Sequence, residues 1–84
     1  MADVDKMLAE AIIAEVDLSG LPSRDRVEGF LRVGEWAQAA IEVLADAAEG
    51  RGRVSPELVG RAVVLWPDDM GGMLAAEFAA MAGR

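Results

Sequence analysis

The sequence predicts an all-α fold, a compact bundle of four to five short helices that forms a single domain over residues 1–84. Three observations support this prediction. Apolar residues recur at the three- and four-residue spacing of a helix. Ser, Asp, Pro and Gly stand where helices typically begin and end. No segment alternates apolar and polar residues as a strand does.

The first two helices are predicted from their apolar stripes. Helix one is expected to run from Asp3, as its N-cap, to about Val16. Its stripe consists of Val4, Met7, Leu8, Ala11, Ile12 and Val16. Turn residues occupy positions 17–23, and helix two is expected to begin near Ser23. Its inward residues are Val27, Phe30 and Leu31, and Gly34 either ends or bends it.

The third and fourth helices surround a glycine-containing connection at residues 50–53. Helix three is predicted over residues 35–49, with a buried side made of Trp36, Ala40, Ile41, Val43, Leu44 and Ala47. Helix four begins at Ser55, because Ser is a good N-cap and Pro56 suits the first helical position. It is expected to reach about Trp66, with one side made of Leu58, Ala62, Leu65 and Trp66.

A last helix is predicted beyond Pro67, which stops helix four because the residue before a proline avoids helical geometry. Asp68 or Asp69 is the expected cap. The large apolar residues of this last helix are Met70, Met73, Leu74, Phe78 and Met81.

The charge balance limits the classes of partner. A net charge of −7 argues against direct binding to nucleic acid, whose phosphates need clustered Lys and Arg, and suits a basic protein partner. The chain has no Cys, so it has no disulfide framework. Its acidic start does not resemble a signal peptide, and its longest strongly apolar run, residues 62–66, is too short to span a membrane. We therefore expect a cytoplasmic protein.

An acidic ridge on helix three is the candidate partner-binding surface. Five residues fall within about 80° of one another on the helical wheel: Glu35, Gln38, Glu42, Asp46 and Glu49. No basic residue of that helix relieves their like charges, which favours a binding role, although a simple solvated face is the alternative. With no His in the chain, we expect no enzyme activity, no cofactor and no metal site. Neither Ser19 nor Ser23 matches the Asp-Ser-Leu motif of an acyl carrier protein.

A longer pattern crosses helices three and four. Its elements are Gly34-Glu35-Trp36, Ala40-Ile41-Glu42-Val43-Leu44, Asp46, Val54-Ser55-Pro56-Glu57-Leu58 and Met70-Gly71. This pattern resembles the Maf-type immunity protein family, small antidotes to bacterial polymorphic toxins. The resemblance covers about half the chain. It implies a protein that binds and neutralises a cognate toxin, and many such toxins are nucleases with basic grooves that an acidic ridge could occupy.

Two other functions remain open from the sequence. The chain could be a helical adaptor or assembly subunit that docks a partner helix through an apolar surface bearing Met70, Met73 and Met81. It could also be a phage-encoded inhibitor whose carboxylates mimic nucleic acid. Salt dependence separates the first of these from a charge-steered inhibitor, because an apolar groove responds little to salt.

Overall fold

The computed structural model describes residues 3–70, and within that range the chain is all-α, with no strand. The elements are α1 (Val4–Ala14), a 3₁₀ turn (Leu18–Gly20), α2 (Arg24–Arg32), α3 (Trp36–Ala48), α4 (Pro56–Leu65) and α5 (Pro67–Met70). The predicted small helical bundle is confirmed. Helix one ends at Ala14, two residues before its predicted end.

Helix α3 is the central element, because it packs against α1, α2 and α5, while α1 also packs against α4. The largest fully buried apolar side chains are Ile12, Val27, Val43, Leu44 and Val59. Fully buried alanines, Ala9, Ala39, Ala40 and Ala62, fill the space between them. Burying one Leu or Val contributes roughly 1.5–3 kcal/mol, so a few such residues stabilise this small core.

Two glycines end helices α2 and α3. Gly34 and Gly50 have φ of 77° and 85°, the left-handed region that glycine adopts without strain. At Gly34, the N–H of Glu35 donates to the carbonyl of Phe30 and the N–H of Gly34 donates to that of Leu31. The same pair of bonds recurs around Gly50. Both helices therefore end in a Schellman motif, and Gly34 ends helix α2 rather than bending it.

The start of α4 is fixed by α1. Ser55 is the N-cap and Pro56 the first helical residue, as predicted, but the Ser55 side chain makes no capping bond. Its backbone N–H instead donates to Glu15 Oε1 at 2.6 Å. Because Glu15 directly follows α1, this bond joins the end of the first helix to the beginning of the fourth.

The end of α4 corrects one prediction. Pro67 does stop α4, but it is itself the first residue of α5, so Asp68 and Asp69 follow the start of that helix and do not cap it. Trp66, between the two helices, is 4% exposed, and its indole Nε1 donates to Asp5 Oδ1 at 2.9 Å. The predicted positions Met73, Leu74, Phe78 and Met81 lie outside the described residues.

Several residues expected in the core lie at its edge. Phe30, Leu31, Trp36, Ala47 and Leu58 are partly buried and pack against the buried cluster. Lys6 Nζ lies over the ring of Trp36, 5.3 Å from the ring centroid. At this distance the cation is attracted to the aromatic face. These side chains form the boundary between core and solvent.

Candidate functional site

The predicted acidic ridge is divided by the packing of α2 on α3. Glu35, Gln38 and Glu49 are exposed, whereas Glu42 is partly covered and Asp46 is only 7% exposed. The expectation that Asp46 belongs to an exposed ridge is therefore wrong. The remaining exposed members lie near the two ends of α3, so they do not form a continuous ridge.

Asp46 is a structural contact between two helices. Its Oδ2 accepts hydrogen bonds from the backbone N–H of Ser23, at 3.3 Å, and from the Ser23 hydroxyl. Ser23 is itself buried and is the N-cap of α2. A carboxylate at this position also suits the positive end of the α2 dipole. The side chain therefore holds the beginning of α2 against α3.

Glu42 is paired with a guanidinium from the neighbouring helix. Arg26 of α2 donates from Nε to Glu42 Oε1. This hydrogen bond, together with the attraction of the Glu42 charge, raises the pKa of Arg26 above its ordinary value. A wheel of α3 alone shows no cation near Glu42, because the cation belongs to α2. Both central members of the ridge thus have partners inside the molecule.

An apolar groove between α1 and α4 is the more continuous surface. Of the five large apolar side chains exposed in residues 3–68, four lie here: Val4, Met7, Val64 and Leu65. The groove encloses about 740 Å³. Its walls consist of Val4, Met7, Leu8 and Ala11 from α1 and of Glu57, Gly60, Arg61, Val64 and Leu65 from α4.

The side chains of this groove are unusually exposed for apolar residues. Val64 is 81% exposed and Met7 is 68% exposed, although both are large apolar residues. Scattered single exposures are normal in soluble proteins, whereas these apolar side chains lie together along one side of the α1–α4 pair. Gly60 adds free space, because a Cβ built there would meet nothing within 4 Å.

The groove between α1 and α4 was not predicted from the sequence. The apolar stripe predicted for α1 is only partly buried, with Leu8 and Ile12 as its buried members. Val64 was not assigned to any stripe. A usable signal was present, since Gly60 and Val64 are four residues apart and therefore share one face of α4.

The groove has an acidic border. Glu57 and Arg61 are ion-paired at 2.8 Å across one turn of α4, so their charges offset each other. Asp3, the N-cap of α1, and Glu10 are exposed and lie four residues before and three residues after Met7, within about one turn of it, while the ammonium of the adjacent Lys6 lies over the ring of Trp36. Of these charged residues only Glu57 and Arg61 line the groove itself, and Asp3 and Glu10 add two exposed carboxylates next to Met7.

A second depression, of about 900 Å³, lies at the junction of α1 with the loop between α3 and α4. Its walls include Glu15, Arg53 and Ser55. Since Glu15 already accepts the Ser55 N–H, this carboxylate serves the start of α4. This carboxylate therefore has a structural role in the wall of the depression.

Further features of residues 3–70 bear on function. This range contains no group of three or more His, Cys, Asp or Glu side chains placed to hold a metal ion. None of its helices is long and apolar enough to cross a membrane. The predicted Met-bearing surface of residues 70–81 falls outside the described side chains.

Comparison with protein-family models, with curated proteins and with solved structures found no match to this chain. The resemblance to the Maf-type immunity family, and the toxin-neutralising role that it implies, stay predictions.

Proposed function

We propose that this chain is a non-catalytic binding module that docks a segment of a partner protein into the groove between α1 and α4. The observation that carries the proposal is the clustering of Val4, Met7, Val64 and Leu65 on one open surface. This function belongs to the adaptor class considered from the sequence, but it uses a different surface from the Met-bearing one predicted there.

Leaving such an apolar surface in water costs free energy that a bound partner would recover. Fully burying a Val or Met side chain contributes roughly 1.5–3 kcal/mol relative to leaving it exposed. Covering Met7 and Val64 together could therefore supply a substantial part of the binding free energy of a micromolar complex, which is about 8 kcal/mol. Residues in the centre of such a patch commonly contribute most of the binding energy.

A matched pair of substitutions tests this proposal. Val64→Glu places a charge in the groove, and Val33→Glu places the same charge on a valine that is 71% exposed at the end of α2, outside the groove. The partner is purified with the wild-type chain from native cells and identified by mass spectrometry. We expect Val64→Glu to reduce its recovery at least tenfold and Val33→Glu to leave it unchanged. Equal recovery with all three chains would contradict the proposal.

Toxin neutralisation is the second candidate function. It is favoured by the net charge of −7 and by the exposed Glu35, Gln38 and Glu49 at the two ends of α3. An acidic surface increases the rate of association with a basic groove such as that of a nuclease. In this proposal Glu42 and Asp46 act indirectly, because their carboxylates are engaged by Arg26 and Ser23.

Charge reversal tests the second candidate separately. Glu35→Lys combined with Glu49→Lys alters the exposed acidic positions and leaves the α2–α3 contacts in place. If the partner is a basic toxin domain, the reversal should slow association at least tenfold at low salt and abolish protection of toxin-expressing cells. Unchanged protection would show that these carboxylates do not bind the toxin.

A further inference from the structure

We infer that the segment docked between α1 and α4 is a basic amphipathic helix, an inference that rests on the proposed docking function and names its partner. The groove is bounded by two helices rather than by a sheet edge, so it offers apolar side chains and no free backbone hydrogen bonds along its length. A helix satisfies its own backbone groups and is therefore the element suited to such a groove.

The dimensions of the groove fit a short helix. Helix α1 has 11 residues and α4 has 10. At about 1.5 Å per residue, each wall is about 15 Å long and matches a docked helix of about three turns. Small residues at Ala11 and Gly60 leave room for a helix backbone to approach between the larger side chains.

The charges beside the groove favour a partner helix of positive charge. Exposed Asp3 and Glu10 lie beside Met7, and the Arg61 charge is offset by Glu57. A partner helix with Lys or Arg on either side of its apolar stripe would face carboxylates, whereas an acidic helix would face like charges. The whole chain, at −7, adds a long-range field of the same sign.

The same charges disfavour two other occupants. A second copy of the chain would bring two acidic borders together. The segment 71–84 of this chain contains one Glu and one Arg, so it offers no excess of positive charge to the border. Both remain distinct outcomes of the test below.

The test uses two synthetic peptides of about 12 residues, roughly 18 Å long as helices. Both carry Leu at helical spacing. One has Lys at all the remaining positions, and the other has Glu there. Binding to the full chain is followed by fluorescence anisotropy at low salt. We expect the Lys peptide to bind at least about tenfold more tightly than the Glu peptide. Equal affinities would overturn the inference. A Lys peptide with the same composition in scrambled order should bind at least about tenfold more weakly than the amphipathic one.

Two variants with equal charge locate the binding site. Val64→Glu and Val33→Glu both make the chain more negative, so pure charge attraction would increase binding of the Lys peptide in both. Docking in the groove predicts a loss of at least about tenfold for Val64→Glu and no loss for Val33→Glu. Loss in neither variant would overturn the inference, because the peptide would then bind by charge alone.

The outcomes separate this inference from the proposed function. In one outcome, Val64→Glu prevents recovery of the native partner while the Lys and Glu peptides bind equally well. That combination would support the docking function and contradict the inference that the partner segment is a basic helix. A concentration-dependent dimer of the free chain that Val64→Glu dissociates would instead identify a second copy as the occupant. An increase in peptide affinity on substituting Phe78→Ala, which leaves the net charge unchanged, would identify residues 71–84 as the occupant. Either result would overturn the basic-helix inference.

Discussion

Asp46 of α3 accepts hydrogen bonds from both the backbone N–H and the hydroxyl of Ser23, the N-cap residue of α2. Both residues are buried, so the two helices are joined by a polar contact inside an apolar core. Buried polar groups cost free energy unless they are hydrogen-bonded, and here each supplies the partner of the other. The contact specifies which residue of α2 lies against which turn of α3.

Removing the carboxylate should therefore destabilise the fold. We expect Asp46→Ala to lower the free energy of unfolding by about 2–4 kcal/mol, because hydrogen bonds to a charged acceptor contribute about 1.5–3 kcal/mol each and Ser23 is left without a partner. Urea unfolding followed by far-UV circular dichroism measures this change. Asp46→Asn keeps an acceptor oxygen and should cost less.

A double-mutant cycle shows whether the loss belongs to this contact. In a Ser23→Ala background, Asp46→Ala should cost less than in the wild-type chain, because the hydroxyl hydrogen bond is already absent and only the 3.3 Å bond from the backbone N–H is left to lose. Additive losses from the two substitutions would contradict the assignment and would indicate that Asp46 stabilises the fold through other neighbours.

The two tryptophans should report different environments. Trp66 is buried and donates to Asp5, whereas Trp36 is half-buried beneath Lys6. We expect the Trp36→Phe chain, which emits from Trp66 alone, to show blue-shifted fluorescence that acrylamide quenches weakly. The Trp66→Phe chain should show the reverse, and should lose about 1 kcal/mol of stability with the indole hydrogen bond. Similar quenching of both chains would contradict the burial of Trp66.

Local signals account for the parts of the fold that the sequence predicts well. Ser55 and Pro56 mark the start of α4 because capping and proline geometry depend on adjacent residues. The breaks around Gly34 and residues 50–53 follow from the turn preference of glycine. The bounds of α2, α3 and α4 therefore match their predictions to within one residue at most ends.

The candidate site depended on contacts between helices, which a single helical wheel does not contain. The wheel of α3 assigns one buried and one exposed side, but α3 is covered by α1, α2 and α5. Asp46 consequently lies in the contact with α2, and Glu42 finds its cation on α2. In the α1 stripe, Val4 and Met7 stay exposed because no element of residues 3–70 covers them.

Gly34 should be intolerant of a side chain. Its φ of 77° is costly for a residue with a Cβ, although no neighbouring atom lies within 4 Å of that position. We expect Gly34→Ala to lower the free energy of unfolding by about 1–2 kcal/mol through backbone strain alone. Gly34→Asn should cost less, because Asn tolerates the left-handed region better. Chemical denaturation measures both, and equal stability of the wild-type and Ala chains would contradict the Schellman ending of α2.

Substitution of Gly60 tests the stability of the fold and binding in the groove separately. It lies inside α4 with free space at its Cβ position, and so does Gly29 inside α2. Each Gly→Ala substitution should therefore raise the free energy of unfolding by about 0.5–1 kcal/mol, because glycine is a poor residue for a helix interior. Only Gly60 lines the groove.

The pair therefore makes a direct comparison, because both alanine variants should be more stable than the wild-type chain while only one should bind less well. A methyl group at position 60 reduces the space for a docked helix, so Gly60→Ala should weaken binding of the Lys peptide several-fold, and Gly29→Ala should not. Thermal unfolding and fluorescence anisotropy on the same preparations measure the two effects. If Gly60→Ala is stabilised and binds the peptide as well as Gly29→Ala does, the occupant does not approach α4 at this residue. Weakening by both variants would instead mean that the peptide binds a less stable, rearranged form of the bundle.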